Sequence, residues 1–88
     1  MKVEFRASFL KDIGKIKSKA VLKRIKDVIE NVEKAETLQT ISDLKKLKGG
    51  NQYCRIGVGE YRIGLSISED SWVFVRCLHR KDTYRYFP

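Results

Sequence analysis

The sequence predicts a single α+β domain of order β-α-α-β-β-β, an antiparallel sheet with two helices packed on one face. Three observations lead there: a short alternating run opens the chain, two stretches with a helical apolar stripe follow, and three β-type runs separated by turn residues close it. At 88 residues the chain has room for one hydrophobic core and none for a second domain, so residues 1–88 are read as one unit.

The opening strand is Lys2–Arg6, with Val3 and Phe5 on one side and Lys2, Glu4 and Arg6 on the other. Ser8 is the expected N-cap of a first helix in which Phe9, Ile13 and Ile16 share a stripe. Ser18 offers a second N-cap. After it Val21, Leu22, Ile25, Val28, Ile29 and Val32 form an apolar face, backed by Lys23, Arg24, Lys26, Asp27, Glu30 and Glu33. In Thr37–Gly50 the apolar residues Leu38, Ile41, Leu44 and Leu47 recur every three positions, which suits a short helical turn or a covering loop. Three strands follow at Tyr53–Val58, Tyr61–Ile67 and Trp72–Leu78. Gly59-Glu60 makes the tight connection between the first two, and Ser68-Glu69-Asp70-Ser71 the turn before the third. The helical stripes must bury against one side of the sheet, which leaves its other side open.

Charge points to the partner. Lys and Arg number 19 against 11 Asp and Glu, a formal net charge of +8, and from Lys45 onward there are nine basic and four acidic residues. So strong an excess on so small a body implies a polyanion such as nucleic acid, an acidic protein or a membrane surface. Cys54 and Cys77 with the single His79 fall one ligand short of a structural zinc site, and two cysteines make no disulfide framework. No metal or cofactor is expected. No signal peptide precedes the first strand and no apolar run approaches membrane-spanning length, so the expected location is the cytoplasm, away from any membrane.

Alternation decides what the open face carries. Ile56 and Val58 belong to the core, so Tyr53 and Arg55 point away from it. Ile63, Leu65 and Ile67 do the same for Arg62. Taking Val73 and Val75 as the core pair of the last strand sends Arg76 outward, and Phe74 with it, although Phe74 is equally suited to the core. Arg80 keeps the parity of Arg76 if the strand stays extended. An arginine face of one sign with interleaved aromatics fits phosphate neutralisation and base stacking.

The segments Gly59-Glu60-Tyr61-Arg62-Ile63-Gly64-Leu65 and Leu78-His79-Arg80-Lys81-Asp82-Thr83-Tyr84 resemble the RelE/ParE superfamily of bacterial and archaeal toxins. The likeness runs nearly the length of the chain and includes Phe9-Leu10-Lys11-Asp12 and Leu47-Lys48-Gly49. It implies the toxin of a type II toxin–antitoxin pair, and for the RelE branch a metal-independent endoribonuclease that enters the ribosomal A site, cuts mRNA and inhibits translation. The partners so implied are a cognate antitoxin, the ribosome and mRNA.

By the same resemblance Arg62 and Arg80 hold the scissile phosphate, Tyr84 stacks on or helps activate the substrate, and Lys48 and Arg55 lie near the phosphate. Arg76, Lys81 and Tyr53 complete the expected substrate-binding set. The general base stays open. Histidine as a residue type has an unperturbed pKa in the right range, which makes His79 a candidate; Tyr84 or Lys48 would need a lowered pKa, and His79 is equally readable as a strand-end histidine satisfied by the backbone. Two other functions remain open: a ParE-like gyrase-inhibiting toxin, and a non-catalytic module that binds RNA or an antitoxin.

Overall fold

A computed structural model of the chain describes residues 2–35, 41, 44–46, 53–68 and 71–82. Strand β1 spans Lys2–Phe5, helix α1 Ala7–Gly14, helix α2 Lys19–Lys34, and strands β2 to β5 span Leu44–Lys46, Tyr53–Val58, Tyr61–Ile67 and Ser71–His79. They form one five-stranded sheet of order β1-β5-β4-β3-β2. The α+β class is as expected, with two differences. The sheet is mixed, because β1 runs parallel to β5 while the other pairs are antiparallel. Leu44–Lys46, expected as a helical turn or covering loop, is instead a fifth strand on the free edge of β3. Period-3 spacing matches a helix, but a strand edge nearby in space offers the backbone another set of partners, and spacing carries no information about that edge.

Both helical stripes bury as expected. Phe9 and Ile16 from the first, and Ile25 and Val32 from the second, enter a core shared with Cys54, Ile56, Val58, Ile63, Leu65, Trp72, Phe74 and Cys77. Ser18 caps α2, its hydroxyl accepting the Val21 N–H at 3.3 Å. Ser8, however, is not the cap of α1. Arg6 occupies that position with no side-chain capping bond, and Ser8 lies inside the helix, donating its hydroxyl to the Val75 carbonyl at 2.6 Å.

That bond belongs to a pattern. β1 pairs with β5 only as far as Phe5 opposite Phe74. Beyond it the edge of β5 is taken over by α1. The Arg6 N–H reaches the Phe74 carbonyl at 2.9 Å, Ser8 takes the Val75 carbonyl, and the Asp12 carboxylate accepts the Cys77 N–H at 2.9 Å. Ser8 and Asp12 sit one helical turn apart and so face the same edge. Side chains of a helix thus satisfy backbone groups that a strand would otherwise pair.

A register shift in β5 corrects the expectation for Phe74. Leu65 stands opposite Phe74 and Gly64 opposite Arg76, so Val75 is passed over. The bulge turns Trp72 and Phe74 to the helices, where they are 1% and 0% exposed, while Arg76 keeps the face opposite the core. Phe74 stacks on Phe5 at 5.2 Å and meets Phe9 at 5.3 Å between ring centroids. The Phe74 ring removes more apolar surface from water than Val75 would in its place, and that difference favours the bulge.

Candidate nucleic-acid interface

Residues directly opposite one another in a sheet share a face, so the register gives the open face row by row. One row is Tyr53, Ser66, Val73 and Glu4; the next is Lys45, Arg55, Gly64 and Arg76; the third is Gly57, Arg62 and Leu78. Tyr53, Arg55, Arg62 and Arg76 therefore share the face that alternation assigned them.

The β3–β4 hairpin tip organises the surroundings. The Gly59 and Tyr61 carbonyls accept Nη1 of Arg62 at 2.7 and 2.9 Å, and the Glu60 carbonyl between them accepts the Arg80 N–H at 2.7 Å. Two arginines are thereby anchored to one three-residue tip. Arg62 lies across Gly57, its guanidinium 3.5 Å from where a Cβ on that glycine would stand. Both bonds use Nη1, so Nε and Nη2 have no partner among the described residues. Gly59 has φ +60, and Nη1 of Arg24 lies 3.0 Å from the position of a Cβ there. That dihedral and that approach both require glycine.

An open groove of about 360 Å³ runs beside this tip, lined by Arg24, Lys45, Arg55, Gly57, Gly59 and Arg62. Among the described residues it holds four cations and no carboxylate. Arg24 comes from α2, and sequence periodicity had counted it only as part of that helix's solvated side. Lys45 comes from β2, the strand that spacing did not reveal.

A second groove, about 390 Å³, lies at the α1–β5 edge and includes Asp12, Lys15, Tyr61, Arg76, His79 and Asp82. Asp12 and Arg76 form an ion pair within it. Asp12, 8% exposed, receives Nε of Arg76 at 2.7 Å and Nη2 at 3.1 Å in addition to the Cys77 N–H. Arg76 thus turns toward the sheet edge and is neutralised there. His79 accepts the Lys81 N–H on Nδ1 at 3.2 Å, which assigns the neutral ring's proton to Nε2, 3.3 Å from the Glu60 carboxylate. So arranged, neither ring nitrogen presents a lone pair to a substrate. The Tyr61 ring packs edge-on against the imidazole at 5.6 Å.

The site residues expected from the sequence thus divide. Arg55 and Arg62 line the basic groove, and Arg76 and His79 the second. Tyr53 is half-buried on the open face, and Arg80 and Lys81 are exposed in a helical turn over residues 80–82. Lys48 and Tyr84 lie outside the described residues. Asp12 and Glu60, which set the state of Arg76 and His79, were not singled out from sequence, since neither stands near its partner in a recognisable spacing. No group of three or more His, Cys, Asp or Glu among the described residues is arranged to hold a metal ion, and no described helix is long and apolar enough to cross a membrane.

Known proteins share this architecture. A family model described as the ParE toxin of type II toxin-antitoxin system, parDE, matches residues 3–84. Toxin RelE3 of Methanocaldococcus jannaschii is 44% identical over 89 residues, covering 100% of both chains. A chain in the crystal structure of the RelB-RelE antitoxin-toxin complex from Methanococcus jannaschii superposes with a TM-score of 0.82 at 41% identity, covering 97% of this chain and 99% of that one. The YoeB dimer from Staphylococcus aureus shares the fold at a TM-score of 0.74 and 17% identity, with 90% and 95% of the two chains covered. The chain belongs to the ParE toxin family of type II toxin–antitoxin systems. Within it, the full-length likeness to the archaeal protein makes it a RelE-like toxin.

Proposed function

We propose that this toxin is a metal-independent endoribonuclease that cleaves mRNA, in the ribosomal A site, and so stops translation in the cytoplasm. The observation that carries the reading is the basic groove, in which three further cations, with no carboxylate among the described residues, surround an Arg62 held in place by hairpin carbonyls. RNA brings its own nucleophile, the 2′-OH. The protein has to hold it in line with the phosphorus and stabilise the charge that develops on the phosphorane. Arg62 suits the second task, being always charged and fork-shaped, with its unused Nε and Nη2 donors available to phosphate oxygens. Arg80, anchored on the same tip, supplies a second cation, and Arg55 and Lys48 a third and fourth; Tyr53 and Lys81 hold the flanking RNA. The bonding of His79 favours Tyr84 or Lys48 as the proton acceptor. Arg76, neutralised by Asp12, contributes to holding the strand that carries His79 and Arg80. A cognate antitoxin as partner is supported by the similar archaeal structure, which is an antitoxin–toxin complex.

Induced expression followed by mapping of transcript ends tests the reading. Cleaved transcripts and rapid loss of translation are expected. Intact transcripts with DNA damage signalling would replace it with the gyrase-inhibiting reading, which the ParE description of the matching family model favours. Unimpaired growth would leave a binding module.

A further inference from the structure

Two cations in the basic groove reach it from outside the β3–β4 hairpin, Arg24 from α2 and Lys45 from β2. Arg24 has an acid three residues on, Asp27, at the spacing that pairs side chains along a helix. Among the described residues it makes no ion pair there. It lies instead against Gly59, in a groove with three further cations. Lys45, from the neighbouring edge strand, stands directly opposite Arg55, and like charges at that cross-strand position repel. Both side chains are exposed, so neither is held in place by burial. One anion in the groove would attract both side chains.

The groove also has length. The Lys45–Arg55 row and the Gly57–Arg62 row are two residues apart along β3, a step of about 6.8 Å, which is on the scale of one nucleotide of an extended strand. We propose that Arg24 and Lys45 are phosphate-binding residues, and that with Arg55 and Arg62 they hold two consecutive backbone phosphates of single-stranded RNA. This extends the proposed nuclease site across the hairpin tip onto α2 and makes the helical layer part of the RNA surface.

The test is the salt dependence of binding to a 2′-O-methyl RNA oligonucleotide, which the protein can bind but not cleave, measured by fluorescence anisotropy with the full chain. For single strands each phosphate contact contributes roughly 0.7 to the slope of log K against log salt. Arg24→Gln and Lys45→Gln are each expected to lower the slope by about that amount, and Arg24→Lys to retain it, with unchanged thermal melting. Slopes unchanged in both variants while Arg62→Gln loses its share would overturn the proposal. So would a weaker hold on the antitoxin with RNA slopes intact, which would make the groove a contact for an acidic protein. A wild-type chain whose RNA binding ignores salt removes this site and the nuclease reading together. Slopes that fall as expected in a protein that cuts no transcript remove the nuclease reading alone.

Discussion

Arg62 and Arg76 project from neighbouring strands onto the same face of one sheet, in adjacent rows, and end in opposite electrostatic states. Arg62 is held by two backbone carbonyls, which orient it without cancelling its charge. Arg76 is held by a buried carboxylate, which does both. A carbonyl offers a partial charge and a carboxylate a full one, so the first leaves a cation able to meet a phosphate and the second completes a salt bridge. Counting arginines on a face therefore overstates the positive charge it offers. What matters is which kind of acceptor positions each one.

Substitutions should separate these two roles. On the proposed cleavage, the largest effect is expected from Arg62→Ala, which would remove a preoriented donor from the developing oxyanion. RNA cleavage should fall roughly 100- to 1,000-fold, with the urea midpoint nearly unmoved. Cleavage within a few-fold of wild type would show that Arg62 does not meet the reacting phosphate. Asp12→Ala is the converse. It takes the Asp12 salt bridge from Arg76 and the carboxylate acceptor from the Cys77 N–H, and should cost about 3 kcal/mol in urea unfolding, while the folded fraction keeps its cleavage rate. A loss below about 0.5 kcal/mol, the range of an ordinary surface change, would mean that the Asp12 cluster does not secure α1 to β5.

Gly59→Ala tests the hairpin tip that holds Arg62 and faces Arg24. A side chain in the left-handed region costs about 1–2 kcal/mol, and its Cβ would also displace the Arg24 guanidinium, 3.0 Å away. Stability and RNA affinity should therefore both decline, and a loss confined to stability would separate Arg24 from the groove. The smallest effect lies at Cys77, beside Asp12. Burial, reinforced by the Asp12 carboxylate, pushes its thiol up from 9.0 to about 12. The folded state holds this proton more tightly than the unfolded chain, so the contribution is complete below pH 9 and lost as pH rises toward 12. A thiol reagent should leave Cys77 unmodified at neutral pH until the protein unfolds; rapid modification of the native state would contradict that burial.

Much of this was legible in the chain. The α2 stripe from Val21 to Val32, the Ser18 cap, the β3–β4 hairpin at Gly59-Glu60 and the facing of Tyr53, Arg55 and Arg62 follow from periods and turn chemistry that act over a few residues. Ser8 misled because a serine ahead of an apolar stripe reads as a cap, whereas a strand edge that arrives from residue 75 takes its hydroxyl instead. Phe74 misled because alternation assumes an unbroken strand, and the bulge at Val75 resets it. Leu44–Lys46 misled because three-residue spacing fits a helix, and only the edge of β3 makes it a strand.

The sequence by itself determined the class, the helices, the hairpin and the positive charge of the open face, because those depend on local periodicity and composition. Only the tertiary structure decided which cations are available. Arg24 shares a groove with Arg62 across 38 positions of chain and Asp12 meets Arg76 across 64, and electrostatics depends on distance in space, which a linear pattern does not contain.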